Sequence, residues 1–223
     1  MKIQAAIFDV DGTLVDSVDL HAEAWQRVLA EFGKEVPFGE VRSQIGKGSD
    51  TLLPMYFNEE ELQKKKEKIS KRRDALFKKE YLARVKPFPM VRQLFERLHV
   101  EGIKIALASS GKEKEIEHYQ ELLDVEDMVN AVTTSDDAEK SKPHPDIFQA
   151  AVKKLSGVPT GTCLAVGDTP YDAEAAGKLG LRTVGVLCGG FPEESLRQAG
   201  AIAVFRDPAD LLARYGETPF AEV

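Results

Sequence analysis

Short apolar runs, each ending in a polar turn and followed by a helix-like pattern, recur along the chain. They span Ile3 to Phe8, Ile103 to Ala108, Ala131 to Thr133, Cys163 to Val166 and Thr183 to Leu187, and their length and composition predict strands. Strands buried on both faces read as continuous apolar runs, so this spacing predicts a parallel sheet joined by helical crossovers. The patterns over Pro145 to Leu155, Pro170 to Leu179 and Pro192 to Ala199 supply such helices, each opening on a proline that suits a first turn. The expected class is α/β.

Between Asp16 and about Lys86 the alternation stops. Helical patterns over Val18 to Phe32 and Glu59 to Tyr81 fill this stretch, with no convincing strand. It reads as an inserted helical domain, residues 16–87, between the two parts of a sheet domain, residues 1–15 and 88–223. Helix is disfavoured before each proline of Lys86-Pro87-Phe88-Pro89, which makes that segment a stiff return linker.

Charge narrows the range of partners. A formal net charge of −7 with no dense basic arm repels a polyphosphate backbone, so nucleic acid is not an expected partner. The run Lys64-Lys65-Lys66 lies among Glu59, Glu60, Glu61 and Glu67 and reads as a solvated helix face. Cys163 and Cys188 lack metal-binding or CxxC spacing and read as buried thiols in a reducing compartment. The apolar run before Asp9 is too short for a signal-peptide core or a membrane span. A cytoplasmic protein with no membrane partner is the expectation.

In open α/β sheets ligands bind beyond the carboxyl ends of the strands, which directs attention to Asp9, Ser109 and Asp168. The segment Asp9-Val10-Asp11-Gly12-Thr13 places two carboxylates at i and i+2, aimed alike at a strand end. Two close anions need a cation, and an oxygen-rich pair suits Mg²⁺. A helix-loop-helix calcium site starting at Asp9 would need Gly and Glu where the chain has Leu14 and Leu20.

Gly167-Asp168-Thr169-Pro170-Tyr171-Asp172 also ends an apolar run in acidic residues and opens a helix. A helix cap at Asp168 and a first-turn charge at Asp172 would explain this pair in isolation; its coincidence with Asp9 and Asp11 at one end of one sheet favours a site. Ser109-Ser110-Gly111 offers hydroxyl and backbone donors to a phosphate, without the GxSxG or GxxxxGK[ST] patterns of serine nucleophiles and nucleotide loops. Lys142, framed by prolines in Ser141-Lys142-Pro143-His144-Pro145, supplies the cation that clustered aspartates and a phosphate require.

Taken in order, Asp9 to Thr13, Ser109, Lys142 and Gly167 to Asp172 resemble the four motifs of the haloacid dehalogenase superfamily, over nearly the whole chain. The insert after the first motif is similar to the small α-helical cap of the subgroup containing phosphoglycolate phosphatases and β-phosphoglucomutase. The resemblance implies a Rossmann-like doubly wound core with an inserted α-helical cap. It implies a nucleophilic Asp9, an acid-base Asp11, and Mg²⁺ held by Asp9, the Asp11 backbone carbonyl and Asp168, with Asp172 as direct ligand or support. Ser109 and Ser110 would bind the phosphoryl oxygens, and Lys142 would pair with Asp9 and the phosphate. Asp11 argues against dehalogenase and phosphonatase relatives, which typically lack it.

The implied activity is Mg²⁺-dependent hydrolysis of a small phosphorylated metabolite by a monomer or weak homodimer. A sugar-phosphate mutase is the alternative, ranked second because Arg42 lies too early to match that enzyme's distal-phosphate arginine; a catalytically silent binding module is the third reading, disfavoured because no motif aspartate is lost. Substrate choice is expected to lie in the cap. His21 and Trp25 share a helix face there, readable as substrate contacts or as cap core with His21 partly exposed. Lys47, in the loop Gly46-Lys47-Gly48-Ser49-Asp50, is readable as a substrate contact or an ordinary surface lysine.

Overall fold

A computed structural model describes residues 2–221. Its strands are β1 (Ala5–Phe8), β2 (Val15–Asp16), β3 (Lys86–Pro87), β4 (Lys104–Ala108), β5 (Ala131–Thr133), β6 (Cys163–Gly167), β7 (Arg182–Val186) and β8 (Ala201–Phe205). Its α-helices are α1 (Val18–Glu31), α2 (Phe38–Arg42), α3 (Ser49–Leu52), α4 (Glu59–Glu80), α5 (Val91–Val100), α6 (Glu113–Leu123), α7 (Asp146–Lys154), α8 (Pro170–Gly177), α9 (Glu193–Gln198) and α10 (Pro208–Ala213).

Six strands form one parallel sheet in the order β5-β4-β1-β6-β7-β8. From β1 the chain first steps outward to β4 and β5, then returns to β6 on the other side of β1. The order therefore reverses beside β1, the position at which a doubly wound sheet opens a crevice. Register makes that crevice narrow: Phe8 lies opposite both Leu107 and Val166. Asp9, Ser109 and Asp168 consequently leave the sheet at nearly one level.

Both faces of β1 are buried, as the continuous apolar run predicts. Ala6 and Phe8 join one core cluster with Leu107, Val166 and Phe95, while Ala5 and Ile7 join another with Ala106, Ala165, Phe148 and Ala175. The split follows the alternation of side chains along a strand. On the first face, the Phe8 and Phe95 rings lie 4.9 Å apart and tilted, which fastens α5 beneath the strand that carries Asp9.

Two strand features depart from the expectation. β8 is absent from the apolar runs that predict strands because it is a sheet edge: Ile202 is exposed and Ala203 and Val204 only partly buried. The Lys86-Pro87 segment is more than a linker. It pairs antiparallel with Val15–Asp16 and clasps the entry of the helical stretch to its exit, an edge position where proline's missing N–H is tolerated. The prolines also divide: Pro170 opens α8 in the first turn, whereas Pro145 and Pro192 are the preceding cap residues of α7 and α9.

Within 18–80, α1 packs on α2 and α4. The long, charged α4 starts with a reciprocal Asn58/Glu61 capping box, and buries Ile69, Leu76 and Phe77. Lys64 and Lys66 are exposed on it, as expected of a solvated face. Among the described residues, no helix is long and apolar enough to cross a membrane.

Replacing Phe95, which is 0% exposed, by Ala should lower unfolding stability by about 3–5 kcal/mol through lost burial and a residual cavity. Urea unfolding measures this; a loss below about 1 kcal/mol would contradict the packing described.

Candidate active site

The turn after β1 shapes the site. The Asp9 N–H is tied to the Val166 carbonyl at 2.8 Å, and the chain then coils so that the Leu14 and Val15 N–H groups both reach the Val10 carbonyl. Gly12 has φ +82°, and a Cβ there would lie 2.4 Å from Asp168 Oδ2. A side chain at position 12 is thus excluded by both backbone conformation and space.

Lys142 reaches this turn from the loop between β5 and α7. Its ammonium pairs with Asp9 Oδ1, sits 2.8 Å from Asp172 Oδ1 and donates to the Ala108 carbonyl at 3.1 Å. It is 1% exposed. Burial by itself would lower the pKa of Lys142, but the Asp172 and Asp9 carboxylates outweigh it and hold the ammonium charged.

Thr13 Oγ1 lies 3.3 Å from Asp9 Oδ2 and 3.0 Å from Asp168 Oδ1, within reach of donating to either. Asp172 has two attachments: its Oδ2 accepts from the Thr169 N–H and hydroxyl at 3.0 and 2.7 Å, closing the cap of α8, while Oδ1 faces Lys142. The N-cap of α8 is Thr169, so Asp168 is not spent on capping the helix.

Oxygens of Asp9, Asp168 and Asp172 lie within 4.8 Å of one another. Burial, opposed by Lys142, pushes the Asp9 carboxyl up to about 7. Burial and the charges of Asp9 and Asp172 raise Asp168 well above the ordinary carboxylate range. Asp168 Oδ2 is buried with no hydrogen-bond partner among the described residues. An orphaned carboxylate oxygen in an all-oxygen, over-negative cluster fits a hard divalent cation held by Asp9 and Asp168 beside Asp172.

Asp11 occupies the opposite electrostatic setting. Its Oδ1 accepts from the Ser17 hydroxyl at 2.6 Å and from His21 Nε2 at 2.8 Å, while Ser109 Oγ approaches Oδ2 at 3.5 Å. Burial would raise its pKa, but His21, Ser17 and Arg73 together hold it down to about 2.

These residues floor a cavity of about 300 Å³ lined by Asp9 and Asp11, by His21, Trp25 and Lys47 from the 16–87 stretch, and by Ser110 and Gly111. Ser109 and Lys142 lie beneath it, both buried. Ser109 Oγ accepts from the Gly111 N–H at 2.9 Å, which shapes the loop that presents Ser110. Two contacts fasten the upper wall: Tyr171 donates to the Ser43 carbonyl at 2.8 Å, and the Ser141 N–H donates to Asp50 Oδ2 at 3.0 Å.

His21 is buried, against the reading that left it partly exposed. Its ring stacks on Phe77 at 4.0 Å, and its Nδ1 accepts from Arg73, so the ring proton lies on Nε2 towards Asp11. Arg73 also lies over Trp25 with 5.5 Å to the ring. Lys47 borders the cavity, with its ammonium over the Tyr171 ring at 4.6 Å and donating to Gln44 Oε1 at 2.6 Å. Arg42 is turned elsewhere, to Asp19 at 2.6 Å and the Gly189 carbonyl at 3.1 Å.

Sequence reasoning missed Arg73, Glu115 and Ser17. Arg73 and Glu115 sit in helices rich in charge, where nothing local separates an inward residue from a solvated one. Ser17 had a usable signal, because it directly precedes α1 and follows the acidic motif. The thiols also differ from each other, Cys163 being buried and Cys188 half-buried.

Comparison with known proteins places this arrangement. A phosphorylated carbohydrates phosphatase of Thermotoga maritima is 29% identical over 211 residues, 94% of this chain and 97% of the relative. A phosphoglycolate phosphatase of Rhodospirillum rubrum is 30% identical over 217 residues, 93% of this chain and 89% of the relative. The crystal structure of a hydrolase from Pseudomonas syringae superposes with a TM-score of 0.86 at 31% identity, covering 96% of this chain and 98% of that one. The sequence model of the haloacid dehalogenase-like hydrolases matches residues 6–186, and the chain belongs to that family.

Proposed function

We propose that this chain is a Mg²⁺-dependent phosphatase of small phosphate monoesters, working through a phosphorylated Asp9. The observation that carries the reading is the opposed setting of two carboxylates on one cavity floor. Asp9 is ion-paired to Lys142 beside two further aspartates, whereas Asp11 is hydrogen-bonded to Ser17 and His21. The relatives named for phosphatase activity support the reaction class.

In the proposed reaction an oxygen of Asp9 attacks phosphorus, and the bond from phosphorus to the ester oxygen breaks. Asp11 gives that oxygen a proton, then takes one from a water whose oxygen attacks phosphorus as the bond from phosphorus to Asp9 breaks, releasing inorganic phosphate and free Asp9. Asp11 is anionic at rest, so the proton it gives must be taken up with the substrate, whose phosphate charge raises the proton affinity of a neighbouring carboxylate. Ser109, the Ser110 loop and Lys142 hold the phosphoryl oxygens, spreading neutralisation over the transferring group. Asp9, Asp168 and the Asp11 carbonyl, with Asp172 in support, would hold Mg²⁺, which would supply positive charge beside the nucleophile and the phosphoryl oxygens.

Residues 16–87 serve as a cap in this reading, shutting water out and placing His21, Trp25 and Lys47 over the leaving group. Hydrolysis ranks above a mutase reaction because the candidate arginines are occupied: Arg42 by Asp19 and Gly189, Arg73 by His21 and Asp74.

Asp9→Asn should lower kcat for phosphate release by about 1,000-fold or more, since the amide is no nucleophile; turnover near wild type would contradict the assignment. The raised Asp9 and Asp168 carboxyls give a pH prediction. Their folded-state pKa values exceed the unfolded ones, so the metal-free folded chain binds more protons, and its stability falls as pH rises from about 4 to about 7. Mg²⁺ competes with those protons, so its affinity measured by calorimetry should rise through the same window. An affinity independent of pH would contradict it.

A further inference from the structure

The cavity wall facing Asp11 is built by α6, which the phosphate chemistry does not use. Oxygens of Glu115 and Asp11 and a ring nitrogen of His21 lie within 4.8 Å of one another. Glu115 Oε1 packs against Gly111, where a Cβ would come within 2.7 Å of it, so the glycine of the phosphate loop leaves room for this carboxylate. Unlike Asp11, Glu115 has no hydrogen-bond donor among the described residues. Burial raises its pKa against the pull of His21 and Arg73. One turn along the same helix, the Tyr119 hydroxyl is buried beside Asp11 and Glu115.

The charges around the leaving-group space are unevenly free. The cavity is lined by six carboxylates, those of Asp9, Asp11, Asp50, Asp74, Glu115 and Glu139, against the three cations Lys47, Arg73 and Lys112. Two of the cations are paired with carboxylates, Lys112 with Asp136 at 2.7 Å and Arg73 with Asp74 at 3.3 Å, while Lys47 lies against neutral partners, Gln44 and the Tyr171 ring. A leaving group with its own carboxylate would meet Glu115 as a like charge next to Asp11. A leaving group with a hydroxyl near the ester oxygen would give Glu115 the donor it lacks.

Resting on the phosphatase reading above, we propose that Glu115 is a specificity-determining residue that selects phosphate esters of polyhydroxylated leaving groups over those of carboxylate-bearing ones. Asp11 must come within hydrogen-bond reach of the ester oxygen to protonate it, and Glu115, a few ångströms away, then meets the substituent on the neighbouring carbon. A hydroxyl there donates to Glu115. The selection is by pairing as well as repulsion, because an acceptor that the bound leaving group cuts off from water without giving it a donor penalises the wrong substrate.

The experiment measures kcat/KM for glycerol 3-phosphate and for 2-phosphoglycolate on the same preparations of wild type, Glu115→Gln and Glu115→Ala, with p-nitrophenyl phosphate as a general ester. The ratio of two substrates on one preparation does not depend on how much of it is folded. Wild type should prefer glycerol 3-phosphate, and both variants should shift the ratio towards 2-phosphoglycolate by about tenfold or more, the scale of one hydrogen bond to a charged group. If wild type hydrolyses p-nitrophenyl phosphate and the ratio stays within about twofold in both variants, or wild type prefers 2-phosphoglycolate, the role of Glu115 is overturned while the phosphatase reading stands. If wild type with Mg²⁺ hydrolyses none of the three, both are overturned.

Discussion

One buried ammonium faces three buried carboxylates at the carboxyl edge of the sheet, and the rest of the site is arranged around that imbalance. Lys142 reaches Asp9 and Asp172 but leaves Asp168 Oδ2 without a partner. Removing one member of such a cluster exposes the others to an uncompensated charge in a dry setting. A cation and a phosphate are the natural complement. The fold brings the groups together because β1 and β6 are adjacent although far apart in the chain: Phe8 lies opposite Val166, so the residues that follow each strand meet.

The two aspartates of the first motif illustrate how environment divides labour between identical side chains. Asp9 is buried among like charges, with its pKa pushed up to about 7, and Asp11 is surrounded by donors that hold it to about 2. The donors to Asp11 come from the start of α1 and, through Arg73, from α4, so the proposed acid-base residue is set by the helical stretch rather than by the sheet. The proposed proton-transfer and specificity residues, Asp11 and Glu115, stand side by side next to His21.

Much of the sheet was legible in the sequence because its central strands are buried on both faces and read as unbroken apolar runs. The edge strand β8 was not, since Ile202 faces outward and the run is short and alanine-rich. The clasp of Val15–Asp16 on Lys86–Pro87 was hidden too: two residues carry no periodicity. In the site, Asp9, Asp11, Asp168 and Lys142 were legible because each follows a strand or stands in a proline-framed loop. Glu115 and Arg73 were not, because their inward aim depends on how α6 and α4 turn against the sheet and α1, which local charge patterning does not encode.

The central claim is that Asp9 itself carries the phosphoryl group. Quenching the enzyme in acid during turnover, reducing with borohydride and sequencing the peptide by mass spectrometry tests it, because an acyl phosphate is reduced to an alcohol and a free carboxylate is not. The account predicts homoserine at position 9 and unmodified aspartate at positions 11 and 168. Unmodified Asp9 in enzyme quenched while the phosphorylated state is populated, or homoserine at another aspartate, would contradict it.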